Sequence, residues 1–344
     1  MRSIYTILIV LFLANTTTIS AQKFNSALDY LNFVSKEQKK ITKSMWNYTK
    51  AIAHSNNDRS IRGKRKNLLK TVDRAIAKIK RAKGYDGDTF KNQVINHLSL
   101  NRNILNQDYG KVINMKEVAE QSYDLMEAYF LAKKLADEKM EESQNEYEIN
   151  YYSFATKHKI RIVENETDLS KKMKISGEVF DHYDAMYLSF FKVKINETYL
   201  YNAIKSNDIN AIQQNTNALN EYAKEGLENL DKIKLYKEDT SLKEINKTIF
   251  NHFIDVTENE IPKITNFLIL NEDFNKIKKV LDNTPQRKRT QKQIDLYNKK
   301  VGELNDGVKT YNDTNAKITQ ESNALINKLN QVNSNFLAKH IPNE

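Results

Sequence analysis

Apolar and aromatic residues recur along nearly the whole chain at alternating spacings of three and four, the period of one helix face. The first stripe, Leu28, Leu31, Val34, Gln38, Ile41, Met45, Tyr48 and Ile52, stops in the polar run "HSNND", where Asp58 stands ready to cap a second helix. Gly84 is placed for the left-handed residue that closes that helix, and Asp88 for the cap of a third, through Phe90, Val94, Leu98 and Leu105. Asn114, with Glu117 three residues on, has the form of a capping box. From there Val118, Leu125, Tyr129, Ala136, Met140, Tyr147, Tyr151 and Phe154 predict one helix of about 45 residues without a Pro or Gly.

The polar break "ENETD" at 164–168 is the best boundary in the chain, separating an N-terminal bundle at 22–165 from a C-terminal one at 166–344, unless the two form one continuous bundle. Beyond it a stripe from Leu169 to Ile204 leads to Asp208, the expected cap of a helix through Ile212, Leu219, Leu227 and Leu230. Pro262 either kinks a helix or opens a new one at its first position.

The last stripe is the longest: Ile294, Tyr297, Val301, Leu304, Val308, Tyr311, Asn315, Ile318, Ser322, Leu325, Leu329, Val332 and Phe336. A seven-residue repeat sustained so far implies a supercoiled helix reaching about 80 Å, whose seam must be covered. The chain's own helices are the favoured cover over a second copy, since the other segments also carry single apolar stripes. Asn315 and Ser322 in the seam set register at a cost in stability, and Gly302 and Gly307 invite local bending. The predicted fold is all-α: an elongated up-and-down helical bundle, or two in tandem, of about eight helices with coiled-coil-like long helices.

Composition adds an address. Residues 1–21 have an early Arg2, an apolar stretch from Ile4 to Ala14 and a small residue at Ala21, the pattern of a secretory signal peptide cleaved after Ala21. The apolar stretch is well short of the roughly 20 residues a membrane-spanning helix needs. Export to periplasm, cell surface or medium follows. With no cysteine there is neither a disulfide framework nor a lipid-anchoring thiol, so packing must hold the fold.

Charge is concentrated. The chain carries a net charge of +10, and residues 59–83 hold eleven Lys or Arg against the single Asp73, so this one segment accounts for the excess. On a helix Leu68, Val72, Ile76 and Ile79 share a face, while Arg59, Lys66, Lys70, Arg74, Lys78 and Arg81 form a stripe opposite. Such a stripe attracts an anionic glycan, lipopolysaccharide or an anionic membrane surface; a merely solvated basic face is the alternative. Nucleic acid is not expected, given export and the lack of aromatic residues between the charges for base stacking.

Catalytic chemistry has little to stand on. The histidines are scattered, and the nearest ligand pairs, Glu178 with His182 and His252 with Asp255, fall short of the three or four a zinc ion takes. There is no glycine-rich phosphate loop and no nucleophile elbow, so no cofactor is expected. Asp86 and Asp88 read as a turn rather than a calcium loop, which would need six to eight oxygens. The aromatic runs "EYEINYYSF" at 146–154 and "FDHYDAMYLSFF" at 180–191 fall on consecutive helices that could pack face to face, in a core or around a ligand groove.

Three stretches, "DYLNFVSKEQKKITKSMWNYTKAIAHSNN", "GYDGDTFKNQVINHL" and "VAEQSYDLMEAYFLAKKLADEK", resemble a family of exported helical surface proteins found in Leptospira and flavobacteria, over roughly residues 22–150. The "SAQK" junction likewise resembles exported proteins of Bacteroidetes. The resemblance implies a surface location and an all-helical fold, and carries no catalytic residue. Lipid anchoring does not transfer, because the cysteine is missing. The expected function is a non-enzymatic envelope or surface protein that binds or scaffolds, through a protein partner or self-association of its long helices. An α-helical pore-forming toxin and a polyanion- or membrane-surface-binding protein acting through residues 59–83 are the alternatives.

Overall fold

The computed structural model describes residues 23–55, 57–163 and 167–343, the side chains of 113, 114, 116 and 117 excepted; residues 1–21, read above as a signal peptide, and most of the 164–168 break lie outside it. The chain is 86% helical, with no strand among the described residues, and forms an all-α helical bundle. The helices are α1 (Ala27–His54), α2 (Asp58–Arg81), α3 (Thr89–Asn103), α4 (Tyr109–Ala119), α5 (Tyr123–Lys157), α6 (Asp168–Lys205), α7 (Ile209–Leu230), α8 (Ser241–Asp255), α9 (Ile261–Asp282) and α10 (Gln291–His340). Two π turns, Ile104–Asp108 and Val256–Glu260, weld α3 to α4 and α8 to α9, so these ten segments make eight continuous rods.

Local chemistry explains most helix ends. Ser26, Ser122, Thr167, Asp208 and Thr290 each accept a hydrogen bond from a first-turn backbone N–H, and Thr290 with Gln293 closes a full capping box. Four expectations need correction. Asn57, not Asp58, caps α2, because Asn57 is the extended residue (φ −117°) and its Oδ1 accepts from Arg59 and Ser60. Gly84 is not the left-handed residue: α2 ends earlier, and the positive φ values fall on Asp86 (54°) and Gly87 (90°). Asp88 occupies the cap position of α3 without making a side-chain cap; its carboxylate lies 3.5 Å from Lys91. The single helix from Asn114 is two, since Asn114 sits inside α4 and Ser122, in extended conformation, starts α5 afresh.

Pro262 stands in the first turn of α9, directly after the second π turn. Its ring cannot donate to the carbonyl four residues back, and the wider turn before it absorbs that mismatch without breaking the rod.

The apolar stripes meet in three clusters. Tyr30, Leu31 and Val34 of α1 pack with Leu68, Val72 and Ile79 of α2, Phe90, Val94 and Leu98 of α3, and Tyr147 and Phe154 of α5. The larger cluster joins α6 to α7, α8, α9 and the C-terminal half of α10, and takes in Trp46 and Ala53 from the far end of α1. Ala119, Met126, Phe191 and Ile195 form a small third cluster where α4 and α5 meet α6. Burying each large apolar side chain is worth roughly 1.5–3 kcal/mol, so these clusters carry the fold.

The long helix α10 packs on α9, α8, α6 and the end of α1. Toward its start it meets α9 through Tyr297 on Phe274 (ring centroids 5.5 Å apart) and Tyr311 on Phe267 (4.6 Å). Gly307 permits that approach: a Cβ there would stand 3.1 Å from the Phe267 ring. Its far end is anchored in the second core by Phe336, which is 1% exposed, and by Lys339 and His340, both 2.7 Å from the buried Asp239 carboxylate. Burial alone would raise that carboxyl, but hydrogen bonds from Lys339, Ser241 and His340 outweigh it and hold Asp239 well below the usual carboxylate range.

Candidate functional site

The basic segment lies on α2, and the structure divides its charges by what each one touches. Leu68, Val72, Ala75 and Ile79 turn inward and are essentially inaccessible. Helical geometry then sends the opposite ridge outward: Arg59, Lys66, Lys70, Arg74, Lys78 and Arg81 are all exposed. From Arg59 to Arg81 the ridge runs about 33 Å at 1.5 Å per residue.

Five of these six have no acidic partner within ion-pair distance among the described residues; Lys78 is the exception, 3.3 Å from Glu37 of α1. Glu37 is 4% exposed and shared with Lys40. Burial alone would raise its carboxyl, yet hydrogen bonds from the two lysines hold it below the usual range. Asp73, the one acid within the segment, is occupied elsewhere, 2.7 Å from Arg102 of α3. Among the described residues, Lys78 alone of the ridge is therefore paired with an acid.

Spacing sharpens the point. Lys66, Lys70, Arg74 and Lys78 follow one another at every fourth residue. Like charges at that spacing destabilise a helix by about 0.2–0.5 kcal/mol per pair. Only the basic residues at the C-terminal end, Lys78, Lys80 and Arg81, gain from the helix dipole. The middle of the ridge costs the fold stability and is tolerated because the inner face packs.

Arg65 is a basic residue of this segment with a structural task that sequence reasoning missed. Its half-buried guanidinium donates to two carbonyls of the first π turn, those of Leu105 (2.7 Å) and Asn106 (3.1 Å), and ties α2 to that turn. Its place on the inner flank of the helical wheel was the available signal; the π turn that needs it was not.

Other candidate chemistry disperses. His182 lies against Phe336 and Tyr236 (centroids 5.5 and 6.4 Å away) while Glu178 is exposed. His252 faces Glu321 at 3.8 Å, and Asp255 accepts from Asn259. Among the described residues no three potential metal ligands converge. The two aromatic runs do not meet either: Tyr147 and Phe154 point into the first core, and α5 reaches α6 instead through Phe130 on Tyr187 (6.2 Å). Asp86 pairs with Lys157 at 2.6 Å. Among the described residues no helix is both long and apolar enough to cross a membrane.

Fold and surface together define an all-α bundle protein with one concentrated cationic ridge. Comparison with protein-family models, with curated proteins and with solved structures gave no match in any of the three.

Proposed function

We propose that the protein is an exported, non-enzymatic helical scaffold that docks on an anionic surface through the outer ridge of α2, the surface being phosphorylated or sulfated glycan or anionic lipid headgroups. The observation that carries this reading is that five cations on one 24-residue helix stand exposed with no acidic partner among the described residues. A rigid helix presenting several charges in register binds a repeating anion better than the same charges scattered, because each contact after the first comes at high effective concentration. The leader-like N-terminus and the resemblance of residues 22–150 to exported surface proteins support the same reading. The helices packed on the inner face of α2 serve as the scaffold that keeps the ridge facing outward.

The test compares wild type with the triple variant Lys66→Gln, Lys70→Gln, Arg74→Gln on immobilised heparin and on vesicles containing anionic lipid. These positions leave Lys78 and its Glu37 bridge intact, and exposed substitutions of this kind usually shift stability by less than about 0.5 kcal/mol each. Wild type is expected to be retained at low salt and released as salt rises, since the screening length falls from about 10 Å at 0.1 M to about 3 Å at 1 M. The variant should elute earlier with an unchanged circular dichroism spectrum. Equal retention of the two proteins would show that the ridge is only a solvated face.

A further inference from the structure

A space of about 300 Å³ opens between α6 and α10, over the second π turn, in the larger core and apart from the α2 ridge. Its floor is Leu200 of α6, Leu219 of α7, Phe253 of α8, and Val256 and Ile261 at either end of the π turn. Each of these is 3% exposed or less. The space is a cleft with an apolar floor and a rim open to solvent, where Tyr201 is 58% exposed. It has the volume of about ten waters, and its floor offers them few hydrogen-bond partners.

Three features show that the space is built into the fold. Val256 and Ile261 are five residues apart, and an ordinary α-helix would splay them by about 140° around the rod. The π turn closes its hydrogen bonds at that same interval and places both on one wall. The turn is fastened from outside: Thr257 accepts from Asn220 of α7 at 2.7 Å, and Glu260 pairs with Lys317 of α10 at 2.7 Å. The third feature is the α10 seam, whose two polar positions, Asn315 and Ser322, both line this space. Where a bulky knob would have filled the gap, the seam has a polar group.

The chemistry at the mouth selects a ligand. Glu197 of α6 takes a hydrogen bond from Ser322 and an ion pair from Lys194, so its charge is already balanced. The side-chain amide of Asn315 donates to the Tyr311 carbonyl at 3.0 Å, which leaves its Oδ1 to accept. A charged guest gains nothing over an apolar floor. We propose that this cleft binds a small uncharged amphiphile: a compact apolar body of on the order of ten non-hydrogen atoms, carrying one hydroxyl or N–H donor for Asn315 or Glu197.

Indole and naphthalene are suitable probes, matched in size and differing in the donor. Titration calorimetry and thermal unfolding of the full chain should show saturable uptake of one indole per chain and a Tm that climbs with its concentration. Asn315→Leu should weaken indole about tenfold, the value of one well-made hydrogen bond, and leave naphthalene unchanged or tighter. Ile318→Trp, which places a ring in the space from α10, should abolish uptake of both probes without lowering Tm. If that variant loses helicity, Thr319→Trp, which brings a ring across the mouth from the exposed rim, supplies the blocked form. Absence of saturable binding to folded wild type would overturn the proposal, as would undiminished binding by the blocked variant.

Discussion

At the scale of single residues, burial decides what the polar groups do. His97 of α3 is 7% exposed and stacked on Tyr147, its Nδ1 3.0 Å from the Ser143 carbonyl and its Nε2 3.2 Å from the Asn101 amide. A donating Nδ1–H and an accepting Nε2 satisfy both contacts, which is the neutral ring. Burial pushes its pKa down from 6.5 to about 4, against a smaller opposing effect of the Ser143 hydrogen bond. Burial also lowers His182 and His252. Between pH 6.5 and 4 the unfolded chain therefore takes up a proton that folded His97 refuses, and stability falls as pH falls, by at most about 1.4 kcal/mol per pH unit, with His182 and His252 acting in the same direction. Thermal unfolding followed from pH 7 to pH 4 should show a falling Tm, and His97→Gln should flatten part of that slope. An identical slope in the variant would mean that His97 is not held neutral. Asp239 acts lower still: its folded pKa is depressed, so the stability it contributes is complete above the ordinary aspartate range and is lost as pH falls through its depressed value.

At the scale of elements, two glycines make opposite predictions. Gly302 of α10 has open space where a Cβ would project, so Gly302→Ala should add up to about 1 kcal/mol of helix stability. Gly226 of α7 is buried, and a Cβ there would stand 2.7 Å from the ring of Phe250, itself fully buried. Gly226→Ala should destabilise despite its better helix propensity, because moving that ring disturbs the packing of α7 on α8 by about 1–3 kcal/mol. Denaturant titration of the two variants beside wild type measures both signs; a stabilised Gly226→Ala would refute the close-packing account. The helices themselves were readable from periodicity, because one apolar stripe per helix is what burying one face against a core demands. The Asp208 cap was equally readable, since it is a contact within one turn. The α4–α5 break was not, because Asn114 and Ser122 both have the residue type of a helix start, and the structure begins a helix only at Ser122.

At the scale of the molecule, α1 ties the two large cores together. Tyr30, Leu31 and Val34 near its start belong to the first, while Trp46 and Ala53 belong to the second. Thr49 donates to Met173 of α6 (3.9 Å), and Lys50 to the backbone of Asn343 (2.9 Å). Trp46 is the single tryptophan of the chain and is 6% exposed, which makes it a native reporter on this junction. Unfolding in urea followed by tryptophan fluorescence and by far-ultraviolet circular dichroism should give coincident transitions, as expected of a cooperative unit. Ala53→Asp, which buries an unpaired charge at the same junction, should separate the two curves or shift the fluorescence transition first. Coincident and unshifted curves in that variant would show that α1 does not couple the cores.

The sequence by itself determined the helical class, the long C-terminal helix and the composition of the α2 ridge, because each depends on the order of residues along one helix. Periodicity is local, and a wheel places Lys70 opposite Leu68 and Val72 whatever surrounds them. Tertiary structure decided what lies outside a single helix: that Glu37 takes Lys78 and not Lys70, that Arg65 turns inward to serve a π turn, and that Trp46 packs with α6 rather than with the first core. It also decided that Asn315 and Ser322 border a cleft. In the sequence they are two polar gaps in a seam; only the arrival of α6 and the widened turn before α9 leaves space beside them, because a void is a property of several helices together.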